Sequence, residues 1–243
     1  MKSLKTDEKA VKFKTFGPDH LIILVSLAGL CGLVMRIGKR LTGLQGLWMA
    51  RALGAFLLGY VLAAYTRSGM IGGFSWQESL PLHLCNWVLA ACVITLFRPT
   101  PLLSEIAYFW GLAGTLQALI TPDLREGFPS WAFFQFFWGH GGIFLAIIFD
   151  IVARDFRPRR GSVLRMFAAI NFYALVAGVI DFLFGLNYGY LRHGPFQPSL
   201  IDHLGPWPWY ILSMEIIVLA SFWALDLPWK RGRPSNGSMN VGN

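Results

Sequence analysis

Charge is what this sequence has least of. Only 14% of its 243 residues are Asp, Glu, Lys or Arg, against 55% hydrophobic, and the mean hydropathy is +0.50. So few charges cannot solvate the surface of a water-soluble domain, and so many apolar side chains exceed one soluble core, which excludes an ordinary soluble protein. Cysteine is scarce as well. Cys31, Cys85 and Cys92 are odd in number and all fall inside apolar runs, which argues against a disulfide framework. No compact zinc signature such as H-E-x-x-H occurs, and there is no sign of the inverted repeats or matched helix breaks typical of secondary transporters. A cleavable leader is not expected, because the first apolar run begins late and Met35, Arg36 and Ile37 offer no small-residue cleavage site.

What the chain has instead is seven apolar runs near the length of about 20 residues that crosses a hydrocarbon core. They lie near His20–Ile37, Gly46–Tyr65, Leu80–Phe97, Pro101–Thr121, Pro129–Ala153, Ser162–Leu186 and Trp207–Leu227. In lipid every backbone donor and acceptor must be satisfied within its own segment, so each run is expected to be a helix. The expected fold is therefore all-α: a polytopic membrane protein with seven transmembrane helices in one bundle, spanning 18–228. A basic segment, 1–17, precedes the bundle and is suited to the membrane surface, and a polar tail, 229–243, reads as disordered. The sequence sets no oligomeric state.

Cations orient the bundle. Arg36, Lys39 and Arg40 in the first loop, Arg154, Arg157, Arg159, Arg160 and Arg165 around the fifth, and Lys230, Arg231 and Arg233 in the tail share one side if seven spans are crossed. The opposite loops carry only Arg67, Arg125 and Arg192, which favours an outside N-terminus and a cytoplasmic C-terminus, although Lys2, Lys5, Lys9, Lys12 and Lys14 pull the other way. The net charge of +8 follows from this bias, so nucleic acid is not an expected partner.

The polar residues within the runs carry the functional signal. His83 and Cys85 stand in SLPLHLC at 79–85, with Asn86 following, and His140 lies at mid-depth in WGHGG. Gln117, Thr121, Asp181, Asn187 and Glu215 join them toward the outer half, as does His20 at the start of the first run. An imidazole and a thiol are the usual base and nucleophile of covalent catalysis, and polar groups in hydrocarbon are costly enough to need a reason. Residues two apart on a helix point about 200° apart, so His83 cannot share a reacting atom with Cys85 unless Pro81 loosens the turn. His140 is the better base. Cys85 as nucleophile, His140 as base and acid, and Asn86 or Gln117 as oxyanion donor make a workable acyl-transfer constellation. Cys31 and Cys92 read as small packing residues. A histidine in a transmembrane helix also serves as an interhelical hydrogen-bonding group, and Gly139, Gly141 and Gly142 serve close helix packing as readily as substrate access. Asp181 must be neutral, paired or facing water, with a histidine as its expected partner, and Asp150 with Arg154 reads as a helical ion pair.

The strings SLPLHLC, HGG at 140–142, LNYGYL at 186–191 and PSLIDHLGPWPWYI at 198–211 resemble the YwaF-like family of bacterial integral membrane proteins, over most of His20–Leu227. That family is in turn similar, distantly, to the transmembrane protein 164 family, described as lipid acyltransferases that remodel ether phospholipids without acyl-CoA through a Cys nucleophile and a His partner. The resemblance implies Cys85 as nucleophile, His140 as partner, and a membrane lipid as substrate.

Tyr188, Tyr190, Trp207, Trp209 and Tyr210 also fit an interfacial aromatic belt. In the functional alternative their loop covers an outward pocket, with Asn187 and Tyr188 at the substrate, His193, Asp202 and His203 at the rim, and Arg192 on a lipid phosphate. The favoured function is thus an intramembrane lipid acyltransferase or hydrolase that needs no cofactor and no metal. Two alternatives stand beside it. One is a metal-dependent hydrolase built on His83, Cys85, His140 and Asp181, and the other a transporter or ligand-binding protein using the same pocket.

Overall fold

A computed structural model describes residues 11–70 and 80–230 of the chain. Their regular structure is helical, and the one β feature among them is an isolated bridge between Lys12 and Glu126. In chain order the helices are α1 (Pro18–Gly38), α2 (Gly43–Met70), α3 (Leu84–Phe97), α4 (101–120), α5 (Trp131–Ala153), α6 (Ser162–Phe184) and α7 (Trp209–Asp226). α4 is an α-helix, Pro101–Trp110, continued through a π-helical turn, Gly111–Thr115, into Leu116–Ile120.

The seven apolar runs thus become seven helices, but five of them, α1, α2, α5, α6 and α7, are both long and apolar enough to cross a bilayer. α3 has 14 residues, about 21 Å at 1.5 Å per residue. It starts late because Leu80–His83 form turns around Pro81, which lacks an N–H and biases its predecessor away from helix. α4 is interrupted at Gly111, where a Cβ would stand 2.5 Å from Ile147 Cδ1 and 3.1 Å from Val88 Cγ1, so α3 and α5 press directly on its backbone.

α5 is the central element. Half of its most apolar window is buried inside the protein, against 11–22% for the other four long helices. Their outward faces carry Val25, Leu62, Phe172 and Phe182, all largely exposed, a surface that only lipid can satisfy. The main core runs from Leu57 through Val88, Phe109, Ile143, Ile147 and Met166 to Phe222.

Contacts at the helix ends give the direction of each crossing. Gly38 at the end of α1 packs on Val152 and Ala153 at the end of α5, and Arg154 donates to the terminal carbonyls of α3, Thr95 O and Leu96 O, at 2.7 and 2.8 Å. Tyr108, near the start of α4, donates to Leu225 O at the end of α7. Four helix ends and the basic loops therefore share one end of the bundle.

At the opposite end residues 11–17 tuck inward. Phe13 N donates to Arg125 O, and its ring is buried with Leu119, Phe133 and Phe137. Residues 1–10 of the basic segment, residues 71–79 of the α2–α3 loop, and the tail beyond Lys230 lie outside the described residues.

Candidate functional site

The turn at Leu80–His83 sets the position of Cys85. His83 is the extended residue before α3, with φ −65° and ψ 144°, so Cys85 is the second helical residue and Asn86 the third. The first backbone N–H groups of a helix have no intrahelical acceptor, so a sulfur there sits beside donors that suit negative charge. His140 comes from α5, about 14 Å along that helix at 1.5 Å per residue. Its Nε2 lies 3.3 Å from Cys85 Sγ, and both side chains are half-buried.

The other ring nitrogen fixes the proton inventory. His140 Nδ1 lies 2.9 Å from Phe136 O, and a carbonyl only accepts, so Nδ1 carries the hydrogen and neutral Nε2 presents its lone pair to the thiol. Phe136 stacks on the imidazole at 4.1 Å and 24°, holding the ring in that plane. The pair thus has the geometry of a nucleophile with its base, and a neighbour orienting the base.

Three tyrosines lie within electrostatic reach of the Cys85 sulfur: Tyr60, Tyr173 and Tyr190. Tyr173 donates to Leu82 O at 2.8 Å, holding the turn ahead of Cys85, and Tyr190 donates to Asp123 Oδ2 at 3.2 Å. Burial, then the Asp123 carboxylate, push the Tyr190 phenol above its ordinary value, so it stays a neutral donor. Tyr60, on α2, reaches the backbone next to His140: a Cβ on Gly139 would lie 2.6 Å from its hydroxyl oxygen.

The remaining expected site residues divide. His83 turns its ring edge to Tyr188 at 4.8 Å and lies near Tyr190, so it joins the aromatic wall, while the histidine on the sulfur is His140. Asn86 lines a cavity beside the pair. The Gln117 amide donates to Thr121 Oγ1 at 2.7 Å on an exposed part of α4. Glu215 accepts from Asn171 at 2.9 Å between α6 and α7.

Asp181 corrects an expectation: no histidine hydrogen-bonds to its carboxylate. Oδ1 accepts from Tyr188 N at 2.8 Å, pinning the loop after α6, while Oδ2 is buried without a hydrogen-bond partner. Arg192 does not reach toward a headgroup but donates to Asp181 O and Leu186 O at the end of α6, and Asn187 Oδ1 accepts from Arg192 N and His193 N. Of the expected aromatic belt, Trp207 and Trp209 are exposed while Tyr188 and Tyr210 are buried. His20 is wholly buried, with Nε2 on Leu119 O at 2.8 Å and Nδ1 accepting from Phe16 N at 3.0 Å.

Among the described residues no three His, Cys, Asp or Glu side chains gather closely enough to hold a metal ion, so the ligand set His83, Cys85, His140 and Asp181 does not assemble. The glycines beside His140 serve helix packing: Gly139 meets Tyr60, and a Cβ on Gly142 would lie 2.5 Å from Leu57 Cδ2.

The TMEM164 family model matches residues 15–226, nearly the whole helical bundle. The chain belongs to the TMEM164 family. It is also similar to an uncharacterized protein of Treponema pallidum (strain Nichols), 25% identical over 172 residues that make up 70% of this chain and 69% of that protein. No solved structure matches the chain. The TMEM164 family match contains every element of the Cys85–His140 site. Tyr60 gives no signal of its own in the sequence, where it is one tyrosine in an apolar run; its position is fixed by the packing of α2 on α5.

Proposed function

We propose that this TMEM164-family membrane protein is an intramembrane lipid acyltransferase working through a thioester on Cys85. The observation that carries this reading is the 3.3 Å approach of His140 Nε2 to Cys85 Sγ, with the opposite ring nitrogen held by Phe136 O. A histidine serving only as scaffold would need no second side chain of nucleophilic character at its free nitrogen. Similarity to the YwaF-like and transmembrane protein 164 proteins, the latter described as acyltransferases independent of acyl-CoA, supports a phospholipid as donor. If α3 and α4 cross with the five long helices and the N-terminus is outside, as the loop cations favour, Cys85 lies toward the outer leaflet.

The reaction then runs in two balanced halves. Cys85 Sγ attacks the carbonyl carbon of a phospholipid ester while its proton passes to His140 Nε2, and the carbonyl π pair moves onto oxygen, where Asn86 can donate. Collapse expels the lysophospholipid oxygen, which takes the proton back from His140, and leaves the acyl thioester. A second lipid hydroxyl, or water in the hydrolytic variant, enters by the same steps in reverse.

The test uses the full-length protein in nanodiscs of phosphatidylcholine with an alkyne-tagged acyl chain. We expect a hydroxylamine-sensitive tag on Cys85, abolished in Cys85→Ala and absent or hydroxylamine-resistant in Cys85→Ser. His140→Ala is expected to form it about 10²- to 10⁴-fold more slowly. Hydroxylamine-sensitive tagging that persists in Cys85→Ala overturns the thioester, and tagging that a chelator abolishes favours metal-dependent chemistry.

A further inference from the structure

A cavity of about 400 Å³ opens between α2 and α3, with α5 behind it. Its walls are apolar: Leu58 and Val61 from α2, Leu89, Val93 and Ile94 from α3. Leu58 and Ile94 are also exposed on the outer surface of the bundle, so the groove opens sideways to where lipid lies. From Asn86 to Ile94 it follows α3 for about 12 Å at 1.5 Å per residue.

Of its polar groups, Tyr65 and Ser68 lie farther along α2, and the other three meet. Tyr60, Asn86 and Gln135 converge where α2, α3 and α5 meet, and Cys85 precedes Leu89 and Val93 by one and two turns of the same helix. The groove thus has a polar head beside the sulfur and an apolar body leading away from it, the polarity of an ester-linked hydrocarbon chain.

The hydrogen bonds at that head distinguish Tyr60 from the other tyrosines near Cys85. Tyr173 and Tyr190 give their hydroxyl protons to Leu82 O and Asp123 Oδ2. Among the described residues the Tyr60 hydroxyl and the side-chain amides of Asn86 and Gln135 make no hydrogen bond to protein, and all three face the groove. Donors left uncommitted beside a nucleophile, in a place that lipid fills, are placed for a substrate oxygen. Gly139 makes this possible, because any larger residue would drive the Tyr60 ring off the backbone next to His140.

We propose that the α2–α3 groove holds the acyl chain being transferred, with the Tyr60 hydroxyl, joined by the Asn86 amide, donating to the ester carbonyl oxygen that Cys85 attacks. This rests on the thioester reading above. The chain enters sideways from the bilayer, its carbonyl stops at Tyr60 and Asn86, and the rest of the lipid stays toward the outer loops.

Two measurements on the full-length protein in nanodiscs test it. In the first, phosphatidylcholine with a diazirine near the end of one acyl chain is photocrosslinked to Cys85→Ala, which reports occupancy without chemistry. Crosslinks on 58–65 and 89–94 are expected, and crosslinks confined to the exposed faces of α6 and α7 overturn the groove whether or not Cys85 forms a thioester. In the second, thioester rates are compared for tagged octadecanoyl and butanoyl phospholipids. Ala90→Trp narrows the groove and is expected to lower the octadecanoyl-to-butanoyl rate ratio by about tenfold or more. Tyr60→Phe keeps the ring and removes the hydroxyl, with an expected loss of about 10²-fold for both chains and unchanged crosslinking. An unchanged chain-length ratio in Ala90→Trp overturns the groove, and an unchanged rate in Tyr60→Phe overturns the donor. Groove crosslinks in a protein that forms no thioester leave the lipid site standing and reject the transfer chemistry instead.

Discussion

His20, buried, and His140, half-buried, show how two histidines in one bundle come to differ. Both use one ring nitrogen on a backbone carbonyl, Leu119 O for His20 and Phe136 O for His140. The second nitrogen decides the role. His20 accepts there from Phe16 N and is enclosed by the rings of Phe13, Phe16 and Phe137, so both nitrogens are spent on holding the N-terminal segment to α4. His140 keeps its second nitrogen for Cys85 Sγ. Replacing His20 by Phe preserves the aromatic packing but leaves Phe16 N–H and Leu119 O without this partner, a cost of about 1–3 kcal/mol. The expected result is a lower thermal midpoint for the purified protein with Cys85 thioester formation per folded molecule preserved, and a matching loss of rate would place His20 in the chemistry. In the sequence the helical spacing of His83 and Cys85 points to His140 as the base, but the carbonyl that orients it leaves no trace there.

At the scale of helices, the site depends on how closely α2 and α5 approach. Gly139 and Gly142, three residues apart on α5, face Tyr60 and Leu57 on α2, three residues apart in the same register, so one stripe of α5 backbone receives one stripe of α2. Gly139→Ala puts a methyl 2.6 Å from the Tyr60 oxygen and 3.0 Å from its ring carbon, and the ring must move. Overpacking of this kind costs about 1–3 kcal/mol. We expect a modest fall in thermal midpoint together with a loss of thioester rate close to that of Tyr60→Phe, measured side by side, whereas a rate unchanged from wild type would show that Tyr60 tolerates displacement. The existence of the helices was legible because hydrocarbon allows nothing else for runs of this length. The late start of α3 was not, since Pro81 is compatible with several turns, and the tertiary position of Tyr60 depends on packing that no single run encodes. Gln117 and Glu215 show a related effect: a polar residue at the right depth bonds a neighbour, Thr121 or Asn171, and that partner is not legible in a single run.

Across the whole molecule the two ends of the bundle are built differently. One end is ionic: Glu105, nearly fully buried, accepts from Arg159 at 2.8 and 3.0 Å and from Arg165 at 3.1 Å, and the hydrogen bonds Arg159 donates to Glu105 hold its guanidinium above its ordinary value. Beside it Asp150 pairs with Arg154, which caps α3, so the basic loop is clamped to three helices. The other end is aromatic, with Phe13, His20 and Phe133 on one side and Tyr188, Tyr190 and Tyr210 on the other, and Cys85 opens toward it. Arg36, Lys39, Arg40, Arg98, Arg154, Arg157, Arg159, Arg160 and Arg165 lie in loops or helix ends of the ionic end. Cationic loops are retained in the cytoplasm, and the clamped arginines cannot easily be pulled across with their carboxylate partners. The expected orientation is therefore ionic end in and aromatic end out. A green fluorescent protein fused after the last residue should fluoresce, a secreted phosphatase at the same place should be inactive, and Cys85 should react with a membrane-impermeant maleimide only from outside. The opposite pattern in the fusions would invert the bundle and move the Cys85–His140 pair to the cytoplasmic leaflet, with the lysines ahead of α1 overriding the loops.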